Sequence, residues 1–196
     1  MLKLYHSPQT RSSRMVWLLE EIGAPYEIEY LDIRAEGGLP ESYRAIHPLK
    51  KVPALQHDGE IVTESAAICL YLSDAFPAAG LGPRVGEAGR GAYLSWLAYY
   101  AGVVEPALMV KAVGATGFSP LSAAWGDPEL MIKRLEDTLS AGPYVLGERF
   151  TTVDVLIGST FQWAGRLLPK TEAVEAYKSR LMSRPAFLRS LEKDAA

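Results

Sequence analysis

A mixed α/β domain followed by an all-helical domain is the fold class this sequence predicts, and three observations predict it. Up to residue 77 the hydrophobic period alternates between two and 3.6, in the order strand, helix, strand, hairpin, helix. Pro77, Gly80, Gly82, Pro83, Gly86 and Gly89 then crowd into one short stretch, the composition of a connection between domains. Beyond that stretch no segment alternates as a strand does, and every apolar run has helical spacing. The expected boundaries are residues 1–77, a linker at 78–86, and 87–196.

Leu2 to Tyr5 is short and apolar enough for a buried strand. His6-Ser7-Pro8-Gln9-Thr10 forms a turn. From Arg11 to Ile22, Met15, Val16, Leu18, Leu19 and Ile22 recur at helix spacing, and Gly23 closes the helix. Tyr26 to Leu31 alternates as a strand, so a right-handed crossover to a parallel neighbour is expected. Leu39 to Ile46 is a short helix ended by His47-Pro48. Asp58-Gly59 tolerates the positive φ angles of a two-residue hairpin, which pairs Ala54–His57 with Glu60–Thr63. Ala67, Ile68, Leu70, Tyr71 and Leu72 mark the next helix, with Ser65 as its expected N-cap.

In the second half, Tyr93 to Val113 is helical with a kink expected at Pro106. Pro128 to Leu139 follows, capped by Asp127. Val153 to Leu168 is apolar almost all round and reads as the buried central helix. Thr151-Thr152-Val153-Asp154 at its start is a capping box, with Phe150 placed as a staple. Ala173 to Met182 and Pro185 to Leu191 complete the helices.

Composition narrows the function. With 196 residues, 48% hydrophobic and 22% charged, the chain is ordinary for a water-soluble protein. A net charge of −3 gives no reason to expect nucleic acid or an anionic membrane as partner. The single cysteine, Cys69, excludes an intrachain disulfide and fits a reducing, cytoplasmic location. No apolar run is long enough to span a bilayer, and no His, Cys and Asp grouping has metal-ligand spacing.

The stretch from Lys50 to Leu72 carries the chemistry. A helix beginning at Ser65 offers free N–H groups and a partial positive charge to a carboxylate, and Glu64 beside it can pair with a cation. That end suits a zwitterionic amino-acid head. The backbone at Val52, just before Pro53, can pair with an extended peptide.

Val52-Pro53-Ala54-Leu55 followed by Glu64-Ser65 resembles the glutathione-binding half of the glutathione S-transferase family, and the likeness in length and layout runs over the whole chain. The resemblance implies an α/β thioredoxin-like N-terminal domain plus an all-α C-terminal domain. It implies that Val52, before a cis Pro53, pairs with the cysteine backbone of glutathione, that Glu64 and Ser65 hold its γ-glutamyl end, and that the protein is a homodimer. Lys51 is the candidate for the glycine carboxylate. His47-Pro48-Leu49-Lys50 departs from the family's usual Asn-Pro-x-Gly.

The group that activates the thiol stays open among several. Members using Ser or Cys place it at the first helix's start, often as Ser-x-x-Cys/Ser-Arg, and Thr10-Arg11-Ser12-Ser13-Arg14 matches with Thr in place of Ser. Members using tyrosine place it at the end of the first strand, which here is Tyr5. Thr10 leads, Ser12 and Tyr5 follow, and a site of backbone amides alone is the remaining option. The loop has no cysteine, which argues against thiol–disulfide exchange. Tyr93, Trp96, Tyr99, Tyr100 and Trp163 can wall an apolar pocket for a second substrate, with Tyr99, Tyr100 and Trp163 the chosen residues. The expected activity is conjugation of glutathione to small hydrophobic electrophiles. The alternatives are a non-catalytic glutathione-binding protein and a glutathione-dependent isomerase or dehalogenase.

Overall fold

In a computed structural model, which describes residues 1–195, the first strand β1 (Leu2–His6) lies at the middle of a four-stranded sheet of order β2-β1-β3-β4. It runs parallel to β2 (Tyr26–Tyr30), with Leu4 opposite Ile28, and antiparallel to β3 (Ala54–His57), with Tyr5 opposite Ala54. β4 (Glu60–Thr63) completes the hairpin with β3, placing Ala54 opposite Thr63. Asp58 and Gly59 both adopt positive φ, 50° and 93°, the conformation that a two-residue turn following the strands' twist requires.

The parallel pairing of β1 and β2 is bridged by helix α1 (Ser13–Ile22), which begins two residues later than the sequence suggests. Its inward face, Met15, Val16, Leu18 and Leu19, is fully buried. Gly23 ends it in the left-handed region at φ 73°, donating its N–H to Leu19. A 3-10 turn at Glu41–Ala45 follows β2. Helix α2 (Ser65–Ala75) leaves the hairpin. This is the thioredoxin-like half of the fold.

The helical half comprises α3 (Arg90–Tyr99), α4 (Glu105–Ala112), α5 (Pro128–Ala141), α6 (Thr152–Ala164) and α7 (Glu172–Met182). The expected kink at Pro106 takes a defined form. Residues Tyr100–Val104 wind as a π-turn, and the Glu105 N–H reaches five residues back to the Tyr100 carbonyl. Pro106 has no N–H to give and its ring would crowd the carbonyl four residues earlier, so the wider turn accommodates it at the start of α4.

α6 is buried on nearly every side from Thr152 to Thr160 and forms the centre of this half. It stops at Ala164, short of Leu168, and passes into a 3-10 turn at Gly165. Asp154 accepts the N–H groups of Thr151 (2.8 Å) and Val145 (2.9 Å) and the Tyr177 hydroxyl (2.9 Å). Burial drives its carboxyl up to about 6 against those bonds. Phe150 packs edge-on to Tyr144, with ring centroids 5.6 Å apart.

The chain divides into two compact units, Gly80–Ser183 and Met1–Ala79 with the segment from Arg184 onward. The linker's glycines belong to the helical unit, where Arg149 donates to the carbonyls of Gly80 (3.0 Å) and Gly82 (3.1 Å). Helix α8 (Pro185–Asp194), which the sequence groups with the other helices, packs against α1 instead. Phe187 meets Trp17 at 5.0 Å between ring centroids, and Glu20 and Glu21 of α1 receive Arg184, Arg189 and Lys193.

Candidate active site

Strand register brings three segments to one end of the sheet. Tyr5 opposite Ala54 sets His6 and the turn after it beside Pro53, and Ala54 opposite Thr63 brings Glu64 to the same end. The Val52–Pro53 peptide bond is cis, as the family resemblance implies. Pro53 is buried, Val52 half-buried and Lys51 exposed, and the Lys51 carbonyl accepts the Tyr43 hydroxyl (3.2 Å). His47 closes the turn before it: its Nδ1 accepts the Leu49 N–H (3.2 Å) and its carbonyl accepts the Lys50 N–H (2.8 Å).

Ser65 is the first residue of α2 rather than its cap. Glu64 occupies the cap position with φ 68° and ψ 122°, a conformation that costs a side-chain-bearing residue about 1–3 kcal/mol. The first helical bond is Ile68 N–H to the Glu64 carbonyl (2.9 Å), so Ser65, Ala66 and Ala67 hold the N–H groups a helix start offers to an outside acceptor. Glu64 is exposed and Ser65 half-buried.

At the start of α1 the hydroxyls form a network. Ser12 is fully buried and makes no cap bond of its own. Its Oγ lies 2.7 Å from Thr10 Oγ1, 2.7 Å from His6 Nδ1 and 3.1 Å from the Ser7 carbonyl, and it accepts the Ser7 N–H at 3.0 Å. Thr10, half-buried, lies with its hydroxyl 2.7 Å from the Ser7 carbonyl and accepts the Ser12 N–H at 3.2 Å. Thr10 is thus the hydroxyl with access to the surface, and Ser12 the one behind it.

Tyr5 stands apart from this network. It is 6% exposed, packs edge-on to Tyr43 at 5.8 Å, and among the described residues its hydroxyl bonds the Gln56 side chain alone, at 3.4 Å. Its neighbours Leu39, Tyr43 and Ala54 make it a core residue, with its phenol turned along the sheet.

Two residues that sequence reasoning did not select complete the network. His6 is fully buried, and Asp194 of α8 brings Oδ1 to 3.2 Å from His6 Nε2 and Oδ2 to 3.3 Å from the Gln9 N–H. Burial pushes the Asp194 carboxyl up, but His6, Ser13 and the Gln9 N–H outweigh it and hold it below the usual carboxylate range. His6 was visible as a histidine directly preceding a hydroxyl-rich turn. Nothing in the sequence points to Asp194, because its partner Gln9 lies 185 residues away.

In the helical unit, Tyr99 is half-buried and stacks edge-on with Trp96 at 5.3 Å, while the Arg134 guanidinium sits 4.0 Å from its ring centre. Trp163 is 36% exposed. Tyr100 is 1% exposed, inside the π-turn's core, so it supports the unit and is not a wall of an open pocket. Among the described residues no cluster of His, Cys, Asp and Glu is arranged to hold a metal, and no helix is long and apolar enough to cross a membrane.

Comparison with known proteins follows the same division. Residues 1–74 match the family description "Glutathione S-transferase, N-terminal domain" and residues 128–185 match "Glutathione S-transferase, C-terminal domain". The uncharacterized GST-like protein YncG of Escherichia coli strain K12 is 30% identical, over 83% of this chain and 82% of its own. Glutathione S-transferase GstA of Escherichia coli O157:H7 is 27% identical over 94% of each. A sphingomonad glutathione S-transferase, solved in complex with glutathione, superposes with a TM-score of 0.81 at 29% identity over 98% of both chains. With both domains matched and a relative at this identity over most of its length, the chain belongs to the glutathione S-transferase family and is a glutathione transferase.

Proposed function

We propose that this transferase ionises the thiol of glutathione at the Thr10–Ser12 hydroxyl pair and adds the thiolate to small hydrophobic electrophiles. The observation that carries the reading is the 2.7 Å contact between Thr10 Oγ1 and Ser12 Oγ at the start of α1, at the sheet end shared with Val52 and Glu64. In this reading the Val52 backbone, next to Pro53, pairs with the cysteine of glutathione. Ser65 and the free N–H groups of α2 take the γ-glutamyl carboxylate, Glu64 takes its ammonium, and Lys51 meets the glycine carboxylate.

A free thiol of this kind ionises near 8.5, so a shift of two units needs about 2.7 kcal/mol. One charge-assisted hydroxyl bond with a helix N-terminus supplies an amount of that order. Tyr5, held in the core, is not part of this site in our reading. We place the protein in the cytoplasm as a homodimer.

The test is turnover with glutathione and a generic aromatic electrophile, set beside glutathione affinity measured by calorimetry. Turnover that falls at least tenfold in Thr10→Val with affinity retained supports the assignment. A rival reading is a non-catalytic glutathione-binding protein, favoured by Thr10 standing where the family pattern that this loop resembles has Ser or Cys. Tight binding without turnover on a broad electrophile panel would select it.

A further inference from the structure

The buried His6–Asp194 pair has no role in the reading above. Both facing atoms, His6 Nε2 and Asp194 Oδ1, are buried 3.2 Å apart, and among the described residues neither is hydrogen-bonded to another group. The opposite ring nitrogen, Nδ1, is 2.7 Å from Ser12 Oγ. An ionised carboxylate only accepts, so Nε2 carries a hydrogen and Nδ1 is the atom free to exchange a proton with Ser12. Thr10, Ser12 and His6 therefore form a continuous line from the half-exposed hydroxyl to the buried imidazole, in two contacts of 2.7 Å each.

We propose that this line is a proton wire: His6 is the terminal acceptor of the glutathione thiol proton, and Asp194 stabilises the imidazolium that results. The proposal rests on the reading of Thr10 and Ser12 as the thiol's partners. In the step, the S–H bond breaks and its proton bonds to Thr10 Oγ1. The Thr10 hydroxyl turns from the Ser7 carbonyl to Ser12, the proton it held passes to Ser12 Oγ, and the proton Ser12 held, turned likewise from that carbonyl, passes to His6 Nδ1. One proton has moved from sulfur to nitrogen, leaving a thiolate and an imidazolium whose second N–H faces the Asp194 carboxylate.

The hydrogen bonds then all run one way. Nδ1–H donates to Ser12, Ser12 to Thr10 and Thr10 to the thiolate, so the buried charge is felt at sulfur through two oriented hydroxyls. Without the transfer, each hydroxyl proton points away from the sulfur. The groups around the imidazole are few. Asp194 comes from α8 and Ser12 from the start of α1. Tyr30 comes from β2, edge-on at 5.6 Å, and its hydroxyl is turned to the Lys193 carbonyl (2.9 Å).

The arrangement makes His6 and Asp194 positioning and proton-holding residues that never touch the substrate. It also makes α8 part of the site, since Asp194 arrives on it.

Thiolate absorbance titrated against pH, in the full-length protein saturated with glutathione, tests the wire. His6→Gln keeps a side chain able to bond both neighbours but unable to take the proton, and Asp194→Asn removes the charge that stabilises the imidazolium. Each should raise the midpoint of the bound thiol by roughly one unit, or about 1.36 kcal/mol, with glutathione affinity and melting temperature near wild type. Thr10→Val and Ser12→Ala, titrated alongside, should raise it as well. If these two shift the midpoint while His6→Gln and Asp194→Asn do not, the wire is wrong and the hydroxyl site stands. If none of the four shifts it, the hydroxyl reading fails too. Should His6→Gln fold poorly, Asp194→Asn alone decides, because its carboxyl is at the edge of the network, and an unmoved midpoint there overturns the proposal.

Discussion

Arg184 grips Glu21 with both arms of its guanidinium, Nε to Oε1 at 2.6 Å and a terminal nitrogen to Oε2 at 2.7 Å, and so fastens the start of α8 to α1. Glu21 is 7% exposed and also receives the Trp17 indole N–H at 2.9 Å. Arg184→Ala should destabilise the protein by about 1–3 kcal/mol, because it leaves a buried carboxylate with one donor. Arg184→Lys should recover only part of this, since an ammonium cannot match both oxygens. Urea unfolding checks both, and an Arg184→Ala midpoint equal to wild type would refute the anchoring role.

Acid should loosen α8 before the rest. Burial works against the ionised Glu20, but bonds from Lys193, Tyr26 and Arg189 hold it down to about 2. A lowered carboxyl contributes stability that is present above its unfolded value, 4.5, and is lost as pH falls toward about 2. Amide exchange in α8 should therefore accelerate across that window while α6 remains protected. Uniform acceleration in both helices would count against it.

Asp154 behaves in the opposite sense. Its carboxyl is raised to about 6 from 3.8, so its contribution to stability is present at low pH and is lost as pH rises through about 6. Asp154→Asn should abolish that slope and still cost about 1–3 kcal/mol, because an amide NH2 must then face the Thr151 or Val145 N–H. Thermal melts of the two proteins between pH 4 and pH 7 would show whether the slope vanishes.

Ser65→Ala should weaken glutathione binding by about 1–3 kcal/mol by removing one charge-assisted bond at the start of α2. Calorimetry reads this directly, and unchanged affinity would move the γ-glutamyl group elsewhere. Tyr5→Phe should leave affinity and turnover nearly untouched, as its phenol bonds Gln56 and stands apart from the Thr10–Ser12 network.

Much of this was legible in the residues themselves. Asp58-Gly59 announced the hairpin because few other pairs accept two positive φ angles. Asp127 caps α5, its side chain accepting the Glu129 N–H, and Thr151 with Asp154 forms the capping box, since each rule acts within four residues. What local rules could not reach was set by tertiary contact. Ser65 reads as an N-cap, yet the chain enters α2 through a strained Glu64 that no propensity favours. The apolar face of α8 signals burial but not against what, so its docking on α1 was hidden. Tyr5 sits at the right place in sequence for a catalytic phenol, but strand alternation sends its side chain toward Leu39 and Tyr43. Tyr100 looked like pocket lining because a π-turn, which rotates side chains relative to a regular helix, leaves no period to read.

The docking of α8 on α1 also sets an order of events on the ribosome. Glu21 and Arg184 are 163 positions apart, and everything between them includes the entire helical unit. While that stretch is being translated, Trp17 lacks the Phe187 ring and His6 lacks the Asp194 carboxyl beside it. The nascent thioredoxin-like half is therefore a sticky, unfinished surface, and folding factors that shield apolar helix faces would find their target at Trp17. A ribosome stalled before residue 184 would display α1 with Trp17 uncovered and His6 Nε2 without the carboxyl that faces it.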